Sequence, residues 1–309
     1  MKCSFLRGSI WILLAAGLLL NSTFSHAEAH CPAEVSTLHP RLVADSLLVI
    51  PVRINGAGPF DFLVDTGSQP NIIDPSLAAS LDLKSQGPVG LITASSFLHG
   101  SVAALTSLEA GGYTLKNPVV VVQDLGALQS ADRRIRGVLG ENFLAHFDVL
   151  IDYSRLLVCL DRSKVMQGEL HGERISLVSP KYPEDELPFL DRLVVSVTLS
   201  DSGNRHILLQ LDSGSTGPIL YSGNKKLDGL LKKARIQGPN VDEVHRAFAV
   251  LPPQDMRIGV GVIRNVPFVT PVRAAADVPN REEDGILATV LFRRVFISHA
   301  DHYVVFDPK

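Results

Sequence analysis

Two apolar runs in this chain stop at the same short pattern. Phe60 to Val64 ends at Asp65-Thr66-Gly67-Ser68, and Leu208 to Leu211 ends at Asp212-Ser213-Gly214-Ser215. A short apolar run closed by a glycine-containing turn predicts a buried strand. The glycine two residues beyond each acid lets the backbone turn, which leaves the carboxylate at the end of its strand. Each run is preceded by another strand-like run and a polar turn. In the first half these are Leu47 to Ile54 and Asn55 to Gly58; in the second, Arg192 to Leu199 and Asp201 to Asn204. The turn residues are those a hairpin needs.

The pattern continues in parallel after each acid. Asn71 to Ile73 predicts a short strand, then a short helix with Asp74 as N-cap and Pro75 as its first residue. Ile219 to Ser222 takes the matching place in the second half. Gly90 to Ala104 predicts a strand, an exposed tip and a returning strand. Short strands separated by glycine turns follow, including Pro118 to Val122, then Gly137-Val138-Leu139-Gly140; the second half has Gly285-Ile286-Leu287-Ala288. Leu139 lies 74 residues beyond Asp65, and Leu287 lies 75 beyond Asp212. Such matched spacing predicts an internal duplication and an all-β, bilobal chain. The expected divisions are a leader over 1–27, a first lobe over 28–162, a linker over 163–188 and a second lobe over 189–309. The linker is set by composition: Gly168, Gly172, Pro180, Pro183, Pro188 and the acidic Glu184-Asp185-Glu186, with a strand expected near Arg174 to Val178. Lys225 to Arg235 predicts a short amphipathic helix.

Composition narrows the setting. Met1 to Ala27 has Lys2 and Arg7, an apolar run from Ile10 to Leu20 and a small-residue end at Ser25-His26-Ala27. It predicts a secretory signal peptide, hence a secreted or periplasmic protein, with an uncleaved anchor as the alternative. A net charge of -3 leaves no basic field for nucleic acid. No membrane insertion is expected after the leader is removed. Of three cysteines, Cys3 leaves with the leader; Cys31 and Cys159 either pair, or Cys159 is a small buried hydrophobe.

Two acids brought together across an approximate two-fold axis cannot both ionise, so they share one proton. The ionised partner can take a proton from water while the protonated one donates to a carbonyl oxygen, and the titration belongs to the pair. Asp65 and Asp212 are the catalytic candidates; as the bland alternative, both cap turns. These motifs resemble those of aspartic proteases, in the retropepsin-like and pepsin-like group where each half of the site supplies Asp-Thr/Ser-Gly. The resemblance covers most of the chain from about Leu42. It implies an aspartic endopeptidase that needs no cofactor, takes a peptide or protein substrate and works as a bilobal monomer. It also implies that Thr66 and Ser213 crosslink the two loops, that Ser68 and Ser215 donate to the outer carboxylate oxygens, and that Gly67 and Gly214 allow close backbone approach. The hairpin tip Thr93, Ala94, Ser95, Ser96 and Phe97 would be the flap over substrate. Ala288 departs from the family's glycine, Ser213 from the commoner threonine, and no tyrosine lies in the flap.

Three other readings are weighed. A peptide-binding module of the same fold without catalysis would explain the departures. A two-acid carbohydrate hydrolase lacks stacking aromatics, since the single Trp11 lies in the leader. His299-Ala300-Asp301-His302 carries metal-ligand residue types without a further ligand in sequence, and a surface turn is its default; no metal is expected.

Overall fold

The computed structural model describes residues 30–32, 35–93, 97–169, 172–178, 192–203, 205–222, 225–236, 248–272 and 282–308. The expected leader and residues 170–171 and 179–188 of the expected linker lie outside them. The chain enters on β1 (Ser36–Leu38) and β2 (Arg41–Val43), then forms the hairpin of β3 (Leu47–Ile54) and β4 (Ala57–Val64). Phe62, Leu63 and Val64 are all buried, so β4 carries the chain inward to Asp65. Next come β5 (Ile72–Ile73), α1 (Pro75–Ser80), β6 (Ser85–Ile92), β7 (Phe97–Ala104), β8 (Ser107–Ala110) and β9 (Tyr113–Lys116). The lobe ends with β10 (Val119–Val122), α2 (Gly126–Ala131), β11 (Ile135–Leu139), α3 (Glu141–Leu144), β12 (Asp148–Asp152) and β13 (Leu157–Asp161).

After α4 (Val165–Glu169) and β14 (Ile175–Ser176), the second half supplies β15 (Val194–Leu199), β16 (His206–Asp212), β17 (Ile219–Leu220) and α5 (Asp228–Leu231). It continues through β18 (Phe248–Val250), β19 (Gln254–Ile258), β20 (Gly261–Val266), β21 (Val269–Pro271) and β22 (Gly285–Ala288), and closes with β23 (Phe292–Ser298) and β24 (Tyr303–Pro308). Strands dominate and the helices are short, as an all-β chain requires.

The two lobe sheets repeat one another strand for strand. The first runs β6-β7-β10-β5-β11-β4-β3-β8-β9, and the second β18-β21-β17-β22-β16-β15-β19-β20. From β7 and β18 onward the neighbours correspond. So do the directions: β10 with β5 and β11 with β4 are parallel, as are β21 with β17 and β22 with β16. A parallel pair needs a long crossover between its strands. Equal crossovers in the two lobes are what the matched 74- and 75-residue spacings record. The outer strand β6, and β2 where it pairs with β3, have no counterpart among the described residues.

Each lobe sheet covers its own core, one built on Leu48, Ile50, Phe62, Leu77 and Leu139, the other on Val195, Leu209, Leu211, Phe268 and Leu287. A third sheet, β1-β13-β12-β23-β24-β14, takes strands from both halves; β12 pairs with β23, placing Val149 opposite Ile297. The strand expected near Arg174 to Val178 is β14, which pairs with β24. Cys31 and Cys159 form a disulfide that ties the entering segment to β13. The helix expected over Lys225 to Arg235 is shorter: a 3-10 turn at Lys225–Leu227 leads into α5. The chain then leaves the helix so that Arg235 can exchange backbone hydrogen bonds with Val250.

Asp74 caps α1, accepting from the amides of Ser76 (2.9 Å) and Leu77 (3.1 Å), with Pro75 following. Its other oxygen accepts from Arg136 Nε on the neighbouring β11 at 2.6 Å. Burial opposes ionisation of Asp74, but these hydrogen bonds outweigh it and hold the carboxyl below its usual range. Asp74→Ala is expected to cost about 1–2 kcal/mol of unfolding free energy and Asp74→Asn less, because Asn keeps the cap acceptor. Denaturant unfolding near neutral pH measures both.

Candidate active site

Parallel pairing at the centre of each lobe fixes where the acids emerge. Leu139 of β11 lies opposite Val64 of β4, and Leu287 of β22 lies opposite Leu211 of β16. The Asp65 amide donates to the Leu139 carbonyl at 3.0 Å, which holds the end of β4 in place.

Immediately beyond, the two loops are tied together. The Thr66 amide donates to Ser213 Oγ and the Ser213 amide to Thr66 Oγ1, both at 3.1 Å. Each hydroxyl then donates to a carbonyl in the opposite half: Thr66 Oγ1 to Leu211 O at 3.3 Å, Ser213 Oγ to Val64 O at 2.8 Å. Both side chains are fully buried, so every donor in this four-bond crosslink needs the partner it has. Serine serves as well as threonine here, because the crosslink uses only the hydroxyl.

The glycines permit the approach. A Cβ on Gly67 would fall 2.5 Å from Cγ of Asp212, and one on Gly214 would fall 2.4 Å from Cγ of Asp65. Each carboxylate thus lies against the other loop's glycine. Each also accepts from its own loop: Asp65 Oδ1 from the amides of Gly67 (2.9 Å) and Ser68 (3.1 Å), Asp212 Oδ1 from the amide of Gly214 (2.7 Å). The two carboxyl groups lie close enough for each to act on the other's proton affinity.

Burial raises Asp65 above the ordinary 3.8, against the pull of its amide hydrogen bonds. Asp212 is raised well above it, by burial first and then by the charge of Asp65. Two buried carboxyls, both raised, are set to keep one proton between them beyond the ordinary range, and that titration belongs to the pair. It is an acid and a base side by side.

Other expected positions fall differently. The hydroxyls of Ser68 and Ser215 do not donate to the carboxylates. They donate instead to the carbonyls of Pro70 (2.8 Å) and Gly217 (2.7 Å), which the tight loop brings within reach two residues on. The hairpin of β6 and β7 is present, with Ile92 opposite Phe97. Of its tip, Thr93 is described, whereas Ala94, Ser95, Ser96 and the side chain of Phe97 lie outside the described residues. Ala288 is buried and leads into a 3-10 turn over Thr289–Leu291. At its counterpart Gly140, a Cβ would meet the Pro70 carbonyl at 2.4 Å, since α3 packs directly onto the loop behind Asp65.

His299 and His302 do not converge on a metal site. His299 is engaged by Phe147 O and Glu141, Asp301 pairs with Lys164, and no cluster of metal-ligating side chains occurs among the described residues.

Three supporting contacts were not anticipated. Gln210 Nε2 donates to Gly67 O at 3.0 Å, from one half to the other. Its signal was a lone polar residue inside an apolar run. The Tyr153 hydroxyl lies 2.7 Å from Thr289 Oγ1, next to Ala288, and burial with the charge of Asp212 holds that phenol protonated. Glu141 is buried beside Gly140 and pairs with His299; an acid directly after the glycine was its only trace.

Residues 50–143 match the family model for aspartyl proteases. The match spans the strands around Asp65 and ends before Asp212, and it supports a protease function in general. No curated protein matches the chain.

A carboxyl whose folded value is raised makes a pH-dependent contribution to stability. Between 3.8 and its folded value the native chain holds a proton that the unfolded chain has lost, so stability falls as pH rises. Asp212→Asn removes the effect and keeps the acceptor for Gly214. The variant is expected to gain stability relative to the parent as pH climbs above about 4, read from paired thermal melts. A constant difference between the two across pH 4–7 would exclude the raised carboxyl.

Proposed function

We propose that this chain is an aspartic endopeptidase that hydrolyses peptide bonds with a water activated by Asp65 and Asp212, both acids coming from a single bilobal chain. The observation that carries this reading is that the crosslinked loops bring the two carboxyls together, each seated on the other loop's glycine. In the reaction the ionised carboxylate accepts a proton from water as its oxygen attacks the scissile carbonyl carbon. The protonated carboxyl donates to the carbonyl oxygen. Collapse of the tetrahedral species returns that proton, breaks the C–N bond and sends a proton to the leaving amine. The dyad recovers its single proton.

The substrate on this reading is a peptide or protein bound extended, pairing as a strand beneath the hairpin of β6 and β7, with Thr93 to Phe97 as the flap. The chain acts as a monomer, because the duplication supplies both halves of the site. The leader over 1–27 and the Cys31–Cys159 disulfide support export to an oxidising compartment, secreted or periplasmic.

The test is hydrolysis of a diverse peptide pool across about pH 3–7 by the parent, Asp65→Asn and Asp212→Asn. Internal cleavage by the parent that falls at least about 10³-fold in both variants is expected. Folded parent that cuts nothing at any pH would replace this reading with the non-catalytic peptide-binding module, and cleavage surviving in either variant would remove the dyad from the reaction.

A further inference from the structure

Behind the first catalytic loop sits a buried acid that the proposed chemistry does not use. Glu141 opens α3. Its amide donates to Ser68 O at 2.8 Å and the next amide, of Asn142, donates to Gln69 O at 3.0 Å, so the helix start holds the loop that follows Asp65. The Glu141 side chain is 1% exposed, and its Oε1 has no partner. All of its side-chain bonding passes through Oε2, which lies 2.9 Å from Nε2 of His299.

His299 comes from the other end of the chain, in the turn between β23 and β24. Its Nδ1 lies 2.6 Å from the Phe147 carbonyl. A carbonyl can only accept, so Nδ1 carries a hydrogen. The contact between Nε2 and Oε2 therefore needs one further proton, on either atom. Without it, an imidazole lone pair would face a carboxylate.

We propose that Glu141 and His299 are positioning residues for Asp65, a buried pair held together by one proton that fixes the catalytic loop and sets the charge behind it, with His299 acting only through Glu141. This rests on the dyad reading given above. Two electrostatic observations agree with the geometry. Glu141 adds to the forces raising Asp65, after burial. His299 is drawn down by burial, yet the hydrogen bond and charge of Glu141 outweigh this and raise it above the usual 6.5. The other charged group facing the ring is Asp148 on β12, which accepts from Ser298, Ala300 and Gln167. Asp301 in the same turn is occupied by Lys164.

The experiment follows the side-chain titrations by NMR in isotope-labelled protein, for the parent, Glu141→Gln, His299→Gln and the double variant, with kcat/KM profiles alongside. In the parent, His299 should titrate above 6.5. Glu141→Gln should drop it below 6.5 and lower the Asp65 midpoint by about 0.5–1 unit. Adding His299→Gln to Glu141→Gln should move that midpoint no further. An Asp65 midpoint unmoved by Glu141→Gln, or moved by His299→Gln when Glu141 is absent, overturns the proposal. So does a parent in which His299 is neutral while the Glu141 carboxyl is ionised at pH 6, which leaves the contact without its proton. If a His299 variant does not fold, the parent and Glu141→Gln decide alone; if neither variant folds, the parent titration decides. The carboxyl titration needs no substrate. Coupling without peptide cleavage would sink the peptidase reading only, and cleavage without coupling would sink this one only.

Discussion

The architecture depends on four hydrogen bonds between Thr66 and Ser213 and the strands behind them. They bind two loops from distant parts of the chain, back to back and out of water. Hydrogen bonds buried this way contribute modestly when made and cost about 1–3 kcal/mol for each group left unpaired. Once the loops are locked, the carboxylates have nowhere to go but against each other. Gly67 and Gly214 are the only residue type that fits the remaining space, because a single added carbon would overlap the opposite carboxyl group.

That confinement has an electrostatic consequence. Two acids withdrawn from water and set side by side retain a proton beyond the ordinary range. At neutral pH this costs the fold stability, which the rest of the structure has to offset. Two apolar cores, the sheet built jointly by both halves, the disulfide at β13 and capped elements such as α1 supply that. The paired acids are therefore a place where local stability is given up, on a scaffold whose other parts follow ordinary packing rules.

Much of this is legible in the sequence, for a physical reason. Duplication writes itself as equal spacing, since each lobe needs the same crossover to lay β11 beside β4 and β22 beside β16. The acids stand out because a polar residue ending an apolar strand must be accommodated by a turn. Asp74 and Pro75 are visible because caps are local chemistry. What stays hidden is long-range. The Glu141–His299 pair joins residues 158 apart, and no local pattern marks either as a partner. Nor does sequence reveal that the hydroxyls of Ser68 and Ser215 turn toward carbonyls, because loop carbonyls and carboxylates compete for them at similar range. The joining of β12 to β23 is equally silent, since closing strands at the end of each half look alike whether they pair within a lobe or across two.

The central claim is that Asp65 and Asp212 hold one proton between them. Neutron diffraction from deuterium-exchanged crystals grown at mildly acidic pH sees that particle directly. The account predicts a single deuteron in the contact between the two carboxyl groups, shared by Asp65 and Asp212. Two ionised carboxylates turned apart, each satisfied by its own loop amides alone, would contradict it.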